Sequence, residues 1–325
     1  MEQGPKCWID ILVFCFSVIG LFGNTCLIVA VLTNKHLRNK SGCLIGIASF
    51  VHWTCLMFEL YSIIVMQDSR FDRISQQECF KKSFVLNWCL IFQAVFYSAM
   101  AFDMFFSITY PLKHLTIGRN RYLIWLLLPC FTISIMCMVF IYTMSKEGDP
   151  AIYAPPLVYH TLSTMVVLFN FLTVLLAFTA IYIGLIKAKK IRQNRGTTCS
   201  VQTNTCKKNL KIFRSTFVMT VVYITSWFLT GLVVTILLYK DQKIVTDWFQ
   251  YLEMTFLPTF CHTYFVTFAR SPKFKKVYLH QLSKITCGLI KQSGVPIANS
   301  SQNNNRRSEL ATSIPETPLL RQSTL

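Results

Sequence analysis

The stretch CFKKSFVLNWCLIFQAVFYSAMAFDMFFSITYPL, residues 79–112, is the part of the chain from which the fold is most readily inferred. Its apolar run from Phe84 to Phe106 is long enough to cross a bilayer as an α-helix, which requires about 20 apolar residues. Cys79 precedes this run, and Asp103 lies near its far end. Because an acidic residue at membrane depth is costly and usually functional, Asp103 is a candidate switch residue. Cys79 is a candidate covalent anchor.

The composition of the whole chain is that of a membrane protein. Of its 325 residues, 53% are hydrophobic and 14% are charged, whereas soluble domains carry about 25% charged residues. In a soluble protein, the net charge of +18 would suggest nucleic-acid binding. Here the positive charge is segregated by segment, so we expect the lipid bilayer, and no nucleic acid, as a partner.

The residue pattern predicts neither an enzyme nor a metal-binding protein. Most of the 13 cysteines lie inside apolar runs, where cysteine ordinarily acts as a small hydrophobic residue, and no CxxC pair occurs. The six histidines are scattered, and no serine or cysteine nucleophile stands in a fixed register with them. We therefore expect no catalytic site, no metal site and no cofactor.

Seven apolar stretches predict seven membrane-spanning helices, called spans one to seven in chain order. They cover residues 9–33, 43–66, 84–108, 122–144, 157–186, 212–239 and 246–268. The first stretch is too long for the apolar part of a signal peptide, so we expect it to be a membrane span. The connections leave no room for a further soluble domain, and residues 1–285 are predicted to form one all-α, seven-transmembrane helix bundle.

The loop charges predict the orientation of this bundle. Of the 32 lysines and arginines, 24 follow spans one, three and five or lie after span seven. Because cytoplasmic loops carry an excess of positive charge, we expect the N-terminus to be extracellular and the C-terminal tail to be cytoplasmic.

The beginning of the tail predicts a short eighth helix. Residues 272–284 place apolar side chains at helical spacing among lysines, which is typical of an amphipathic helix on an anionic membrane surface. Residues 286–325 are rich in asparagine, serine, threonine and proline, and we expect them to form a disordered cytoplasmic tail.

Several short motifs in this order resemble those of rhodopsin-like G-protein-coupled receptors. Gly23-Asn24 lies in span one, Cys79 precedes Asp103 by 24 residues, and Pro111-Leu112 follows span three. The pieces CLMFEL, YITSWF and TYFVTFARSPKFKKV are most similar to the nematode serpentine chemoreceptors of the Srsx type. The resemblance covers about residues 15–280, and it rests on the order and spacing of the motifs.

The sequence departs from the family pattern at several points. Met104 follows Asp103 where the family has an arginine, so the contact that holds the inner end closed must differ. Residues 263–267 read TYFVT instead of Asn-Pro-x-x-Tyr, and Ser49 stands where many relatives have an aspartate. The second outer loop has no cysteine to pair with Cys79, which leaves a free Cys79 or a bond to Cys7 as the alternatives.

Together, the pattern and the resemblance predict two sets of functional residues. The candidate ligand-binding residues, in the outer part of the bundle, are Glu59, Tyr61, Asn87, Trp88, His160, Trp248 and Glu253. The candidate activation and coupling residues are Asp103, Pro111, Trp227 and Tyr264, and the candidate structural residues are Asn24 and Cys79. A role in packing or at the membrane interface is the alternative for six of them: Glu59, Tyr61, His160, Trp227, Trp248 and Glu253.

The resemblance implies a chemosensory receptor for a small molecule, with a heterotrimeric G protein as its partner. It also implies a multi-pass protein of the plasma membrane, with the sensory cilium as a candidate location and a homodimer as a candidate assembly. A peptide receptor of the same fold and a small-solute transporter are the alternatives.

Overall fold

The computed structural model describes residues 4–66, 76–144, 156–193, 229–240 and 257–286, together with six residues between 218 and 226. The described chain is helical, and the prediction of an all-α membrane bundle with an eighth helix is confirmed. Five of its helices are long and apolar enough to cross a membrane. Spans six and seven are described in part, by Leu229–Lys240 and by residues 257–270.

Spans one to five are single helices whose bounds lie close to the predicted ones. They are Gly4–Thr33, Lys40–Met66, Phe84–Thr109, Arg119–Met144 and Pro156–Gln193. The predicted tail helix is also present, as Pro272–Ile285. Span four continues through Pro129 and therefore is not interrupted there, as a discontinuous transporter helix would be.

Two short helices that the sequence did not predict flank span three. The outer helix, Gln76–Lys82, precedes it, and the inner-loop helix, Pro111–Thr116, follows it. Pro111 occupies the first turn of the inner-loop helix, where its fixed φ is compatible with a helix and its missing N–H has no intrahelical acceptor. Tyr110 separates the inner-loop helix from span three.

Span three is the central helix of the bundle. In its most apolar window 72% of the residues are buried, against 28–44% in the other four long spans. It packs against spans two, four and five, and its buried side chains include Ile91, Phe92 and Phe96. Any change in the position of span three must therefore alter its contacts with several neighbouring helices.

Small residues allow span one to approach its neighbours closely. A Cβ atom on Gly20 would lie 2.6 Å from Leu56 of span two and 2.7 Å from Cys261 of span seven. A Cβ atom on Gly23 would lie 2.7 Å from the Tyr264 ring. Such small residues at helix interfaces are typical of membrane bundles, because packing rather than the hydrophobic effect drives association in lipid.

The N-terminal part of the eighth helix packs against the inner end of span one. Phe274 and Tyr278 are buried in a cluster with Leu27, Ala30 and Leu37. These residues belong to one compact unit, Met1–Tyr278. Burial raises the pKa of the Tyr278 hydroxyl well above its usual range, so this side chain is neutral at physiological pH.

Candidate functional site

Polar side chains in the middle of the bundle form a cluster that joins spans two, three, six and seven. This central cluster consists of His52, Tyr97, Tyr223, His262 and Thr263, all buried. The Tyr97 hydroxyl lies 3.4 Å from His262 Nε2, and His52 Nδ1 lies 3.2 Å from the Thr263 hydroxyl. The Tyr97 and Tyr223 rings stack with centroids 3.7 Å apart.

Hydrogen bonds around the central cluster tie further spans together. The Asn24 amide donates to the Phe260 carbonyl at 2.8 Å, linking spans one and seven. The Ser98 hydroxyl lies 2.7 Å from that of Thr173, linking spans three and five. Since hydrogen bonds between membrane helices contribute about 0.6 kcal/mol each, these contacts stabilise the bundle modestly and fix the register of its helices.

Sequence reasoning did not identify this central cluster. Its histidines, His52 and His262, are 210 positions apart, and their rings lie 5.7 Å apart. Ser49, which the resemblance places at the aspartate position, instead bonds back to the carbonyl of Ile45 in its own helix. The signal that sequence reasoning passed over is a histidine inside an apolar span, where polar side chains usually face the bundle interior.

At the inner end of span three, Asp103 is held by two other elements. The Tyr122 hydroxyl of span four donates to the Asp103 carboxylate at 2.5 Å, and His114 Nε2 of the inner-loop helix lies 3.0 Å from it. Lys40 of span two donates to the His114 carbonyl and lies 4.7 Å from the Tyr122 ring centroid. We call these four residues the inner cluster.

The residue that follows Asp103 has an apolar role. Met104 is buried against Ala177 and Ala180 of span five. The inner end of span three is thus held on one side by the polar inner cluster and on the other by apolar packing. The sequence did not predict the partners of Asp103, which are the Tyr122 hydroxyl and the His114 ring.

In the outer half of span two, Glu59 is buried, as is Cys55 one helical turn away. Tyr61 is 55% exposed and packs on Phe58 with ring centroids 5.7 Å apart. The structure therefore places Tyr61 and Glu59 on different faces of span two.

Two further candidates lie at the outer end of span three. Asn87 is buried, and its amide donates to the Ser83 hydroxyl at 2.9 Å, in the turn that opens the helix. Trp88 stacks on Phe92 with centroids 5.2 Å apart and lies 5.8 Å from the Phe131 ring of span four. Asn87 thus faces the bundle, and Trp88 contacts the interface of spans three and four.

Several predicted site residues lie outside the described part of the chain. Trp227, Trp248 and Glu253 are among them, as are the predicted disordered tail beyond Thr286 and the second outer loop. Cys79 lies in the outer helix and His160 lies in span five, but the structure does not describe their side chains. Their predicted roles stay predictions.

Tyr264, a predicted activation residue, lies where spans one and seven meet the eighth helix. Its ring lies 5.1 Å from that of Tyr278 and 6.2 Å from that of Phe268, between centroids. Because Gly23 has no side chain, the Tyr264 ring also lies directly against the backbone of span one. These aromatic contacts occupy the region where the family carries its Asn-Pro-x-x-Tyr motif.

Comparison with known families identifies the kind of protein to which this arrangement belongs. The family model described as serpentine type 7TM GPCR chemoreceptor Srsx matches residues 17–282, which is most of the chain. The chain belongs to this receptor family. The bundle is therefore that of a multi-pass G-protein-coupled receptor, and the prediction that the chain is not an enzyme is confirmed by its family.

Individual relatives agree with the family assignment. Olfactory receptor 52B4 of Homo sapiens is 31% identical over 121 residues, which cover 36% of this receptor and 38% of the relative. Olfactory receptor 51T1 of Homo sapiens is 26% identical over 165 residues, covering 48% of this receptor and 50% of the relative. The matches thus span half or less of the length of each relative.

Proposed function

We propose that this receptor is chemosensory and that it binds a small molecule in the outer part of its bundle. The observation that carries the proposal is the buried carboxylate of Glu59 in a member of a chemoreceptor family. A buried acid at membrane depth is costly unless a partner or a function compensates for it. A cationic or hydrogen-bond-donating group on the ligand is the chemistry that a carboxylate recognises.

The proposed ligand site combines residues of several spans around Glu59. Its proposed members are Glu59, Asn87, Trp88, His160, Trp248 and Glu253, with Tyr61 at its rim. Asn87 supplies an amide next to the outer turn of span three, and Trp88 supplies an aromatic surface beside it. Apolar walls with a few polar groups are typical of small-molecule sites.

We propose that the central cluster transmits ligand binding towards the cytoplasm. Buried polar contacts of Tyr97 with His262 and of His52 with Thr263 connect spans two, three and seven. Such contacts exchange partners when helices shift. A ligand shifts this equilibrium only to the extent that it binds one arrangement more tightly than the other. Trp227 and Tyr264 are proposed to move with spans six and seven.

The proposed intracellular partner is a heterotrimeric G protein. The inner-loop helix presents Leu112 and Leu115, which are 74% and 59% exposed, beside the positively charged Lys113. Separation of the inner helix ends would open a groove for a helix of the partner, with this apolar ridge at its border. The ridge begins at Leu112, the residue after Pro111, which is the predicted coupling residue.

We place the receptor in the plasma membrane with its N-terminus extracellular, as the distribution of lysines and arginines favours. The sensory cilium is the proposed location in a chemosensory cell. The proposed assembly is a homodimer.

The first test is a screen of small volatile and water-soluble compounds on cells that express the receptor. We expect at least one compound to elicit a calcium or cyclic-nucleotide signal. Glu59→Gln should then raise the concentration for a half-maximal response by about tenfold or more, because it removes the charge that pairs with the ligand. The matched control is Glu78→Gln, since Glu78 is an exposed acid paired with Lys82 on the outer helix.

An unchanged response of Glu59→Gln at equal surface expression would remove Glu59 from the ligand site. Signals evoked by peptides but by none of the small molecules would favour a peptide receptor of the same fold. Compound-dependent solute flux without any G-protein signal would contradict the receptor mechanism.

A further inference from the structure

The central cluster places two histidine rings side by side inside the bundle. His52 of span two is 0% exposed and His262 of span seven is 6% exposed, and their ring centroids lie 5.7 Å apart. Two nitrogen ligands of one metal ion lie about 4 Å apart at most, and ring centroids lie farther apart than the nitrogens that meet between them. The separation of the two rings is therefore compatible with an ion between them.

The hydrogen bonds of His262 determine which of its nitrogens carries the proton. Its Nδ1 is hydrogen-bonded to the Thr259 carbonyl, and because a carbonyl oxygen can only accept, Nδ1 is the donor. In a neutral imidazole, the acceptor lone pair then lies on Nε2. The Tyr97 hydroxyl is 3.4 Å from this nitrogen, which is long for a hydrogen bond, so a metal ion can displace it.

His52 has one nitrogen in contact with a hydroxyl and one without a hydrogen-bond partner. Its Nδ1 lies 3.2 Å from the Thr263 hydroxyl, whereas its buried Nε2 has no hydrogen-bond partner among the described residues. A buried polar atom that remains unpaired destabilises the fold, so this nitrogen is suited to bind an electron-pair acceptor. Metal-binding histidines typically direct one ring N–H to an oxygen and bind the ion through the other nitrogen, as both histidines can here.

The set of donors distinguishes among metal ions. In the part of the chain that the structure describes, no third histidine, cysteine, aspartate or glutamate joins the pair to form a metal-binding group. Zinc sites have three or four protein ligands. Copper accepts imidazole ligands, and Cu⁺ is stable with two of them in a linear arrangement. Because no anionic ligand joins the pair, a monovalent ion also costs less to bury here than a divalent one.

We infer that His52 and His262 bind one Cu⁺ ion through their Nε2 atoms. The bound ion holds spans two and seven at the spacing that the structure shows. The inference does not depend on the proposed function, because copper binding is measured on the purified receptor without any ligand.

The test uses the full-length receptor in lipid nanodiscs, with its accessible thiols alkylated so that they do not bind copper. Cu⁺ is supplied in the presence of ascorbate, with bicinchoninate as a competing chelator. The wild type should bind a single copper ion, and its thermal midpoint should rise by about 5 °C, because an ion that binds only the folded state stabilises it. Zn²⁺ at the same concentration should give no comparable shift.

His52→Gln and His262→Gln should each lose the bound copper and the shift in midpoint, since a two-coordinate site does not survive the loss of one ligand. The matched control is His36→Gln, because His36 is an exposed histidine outside the cluster, and it should retain both. Retention of the copper by both cluster variants, or stabilisation by Zn²⁺ and not by Cu⁺, would overturn the inference.

A second measurement does not require the variants to fold. X-ray absorption by the copper-loaded wild-type receptor should show two nitrogen ligands and no sulfur ligand. A spectrum dominated by sulfur, or a wild-type receptor that retains no copper against the chelator, would contradict the assignment.

Discussion

Gly23 shows how a single residue determines the contact between two distant parts of the chain. A Cβ atom at this position would lie 2.7 Å from Cγ of Tyr264, a separation that real Cβ contacts do not show. The aromatic ring can therefore lie against span one only because the side chain of residue 23 is a hydrogen atom. Tyr264 stands at the proline position of the family's Asn-Pro-x-x-Tyr pattern.

We predict that Gly23→Ala destabilises the receptor by about 1–3 kcal/mol, because the Tyr264 ring and its neighbours must move to admit the methyl group. The measurement is the midpoint of thermal unfolding of the receptor in detergent. Gly118→Ala is the control, since no atom lies within 4 Å of a Cβ atom at that position. Equal midpoints for the two variants would show that the contact with Tyr264 is not tight.

At the residue scale, the sequence identified an acidic residue whose burial in a membrane is costly, but it did not identify the residues that contact it. Asp103 could be singled out because an acid near the end of an apolar run requires an explanation. Its partners His114 and Tyr122 could not be predicted, because they lie in a loop helix and at the start of the next span. No local sequence pattern specifies the angles at which these helices pack against span three. The same holds for His52 and His262, which meet only in the folded bundle.

At the scale of elements, long apolar runs predicted helices well and short helices poorly. The five long spans begin and end within a few residues of the hydropathy bounds, apart from the start of span one and the far end of span five. The outer helix and the inner-loop helix have only seven and six residues, so they are too short for a periodic pattern to show. The amphipathic eighth helix was predictable because lysines alternate with apolar residues at helical spacing.

The eighth helix gives a prediction at this scale. Tyr278→Ala should lower the free energy of unfolding by about 3 kcal/mol, because a buried aromatic side chain is lost from the cluster around Leu27 and Leu37. Lys276→Ala, on the exposed side of the same helix, is the control and should change stability little. The comparison is made by thermal unfolding of both variants in the same detergent, and similar losses would contradict the packing described for Tyr278.

At the scale of the whole molecule, the proposed ligand site and the proposed G-protein site lie near opposite faces of the membrane. Glu59 belongs to the proposed ligand side, and the inner cluster around Asp103 belongs to the proposed partner side. The proposed orientation rests on loop charge, since 24 of the 32 lysines and arginines follow spans one, three and five or lie after span seven. Ligand recognition outside and G-protein binding inside both require this orientation.

The measurement that tests this claim most directly is the accessibility of small epitope tags fused to the two ends of the full-length receptor. In intact cells, antibodies should label the N-terminal tag, and the C-terminal tag should be labelled only after the plasma membrane is permeabilised. Labelling of both tags in intact cells, or of the C-terminal tag alone, would contradict the assignment of Glu59 to the outer face and of the inner cluster to the cytoplasm.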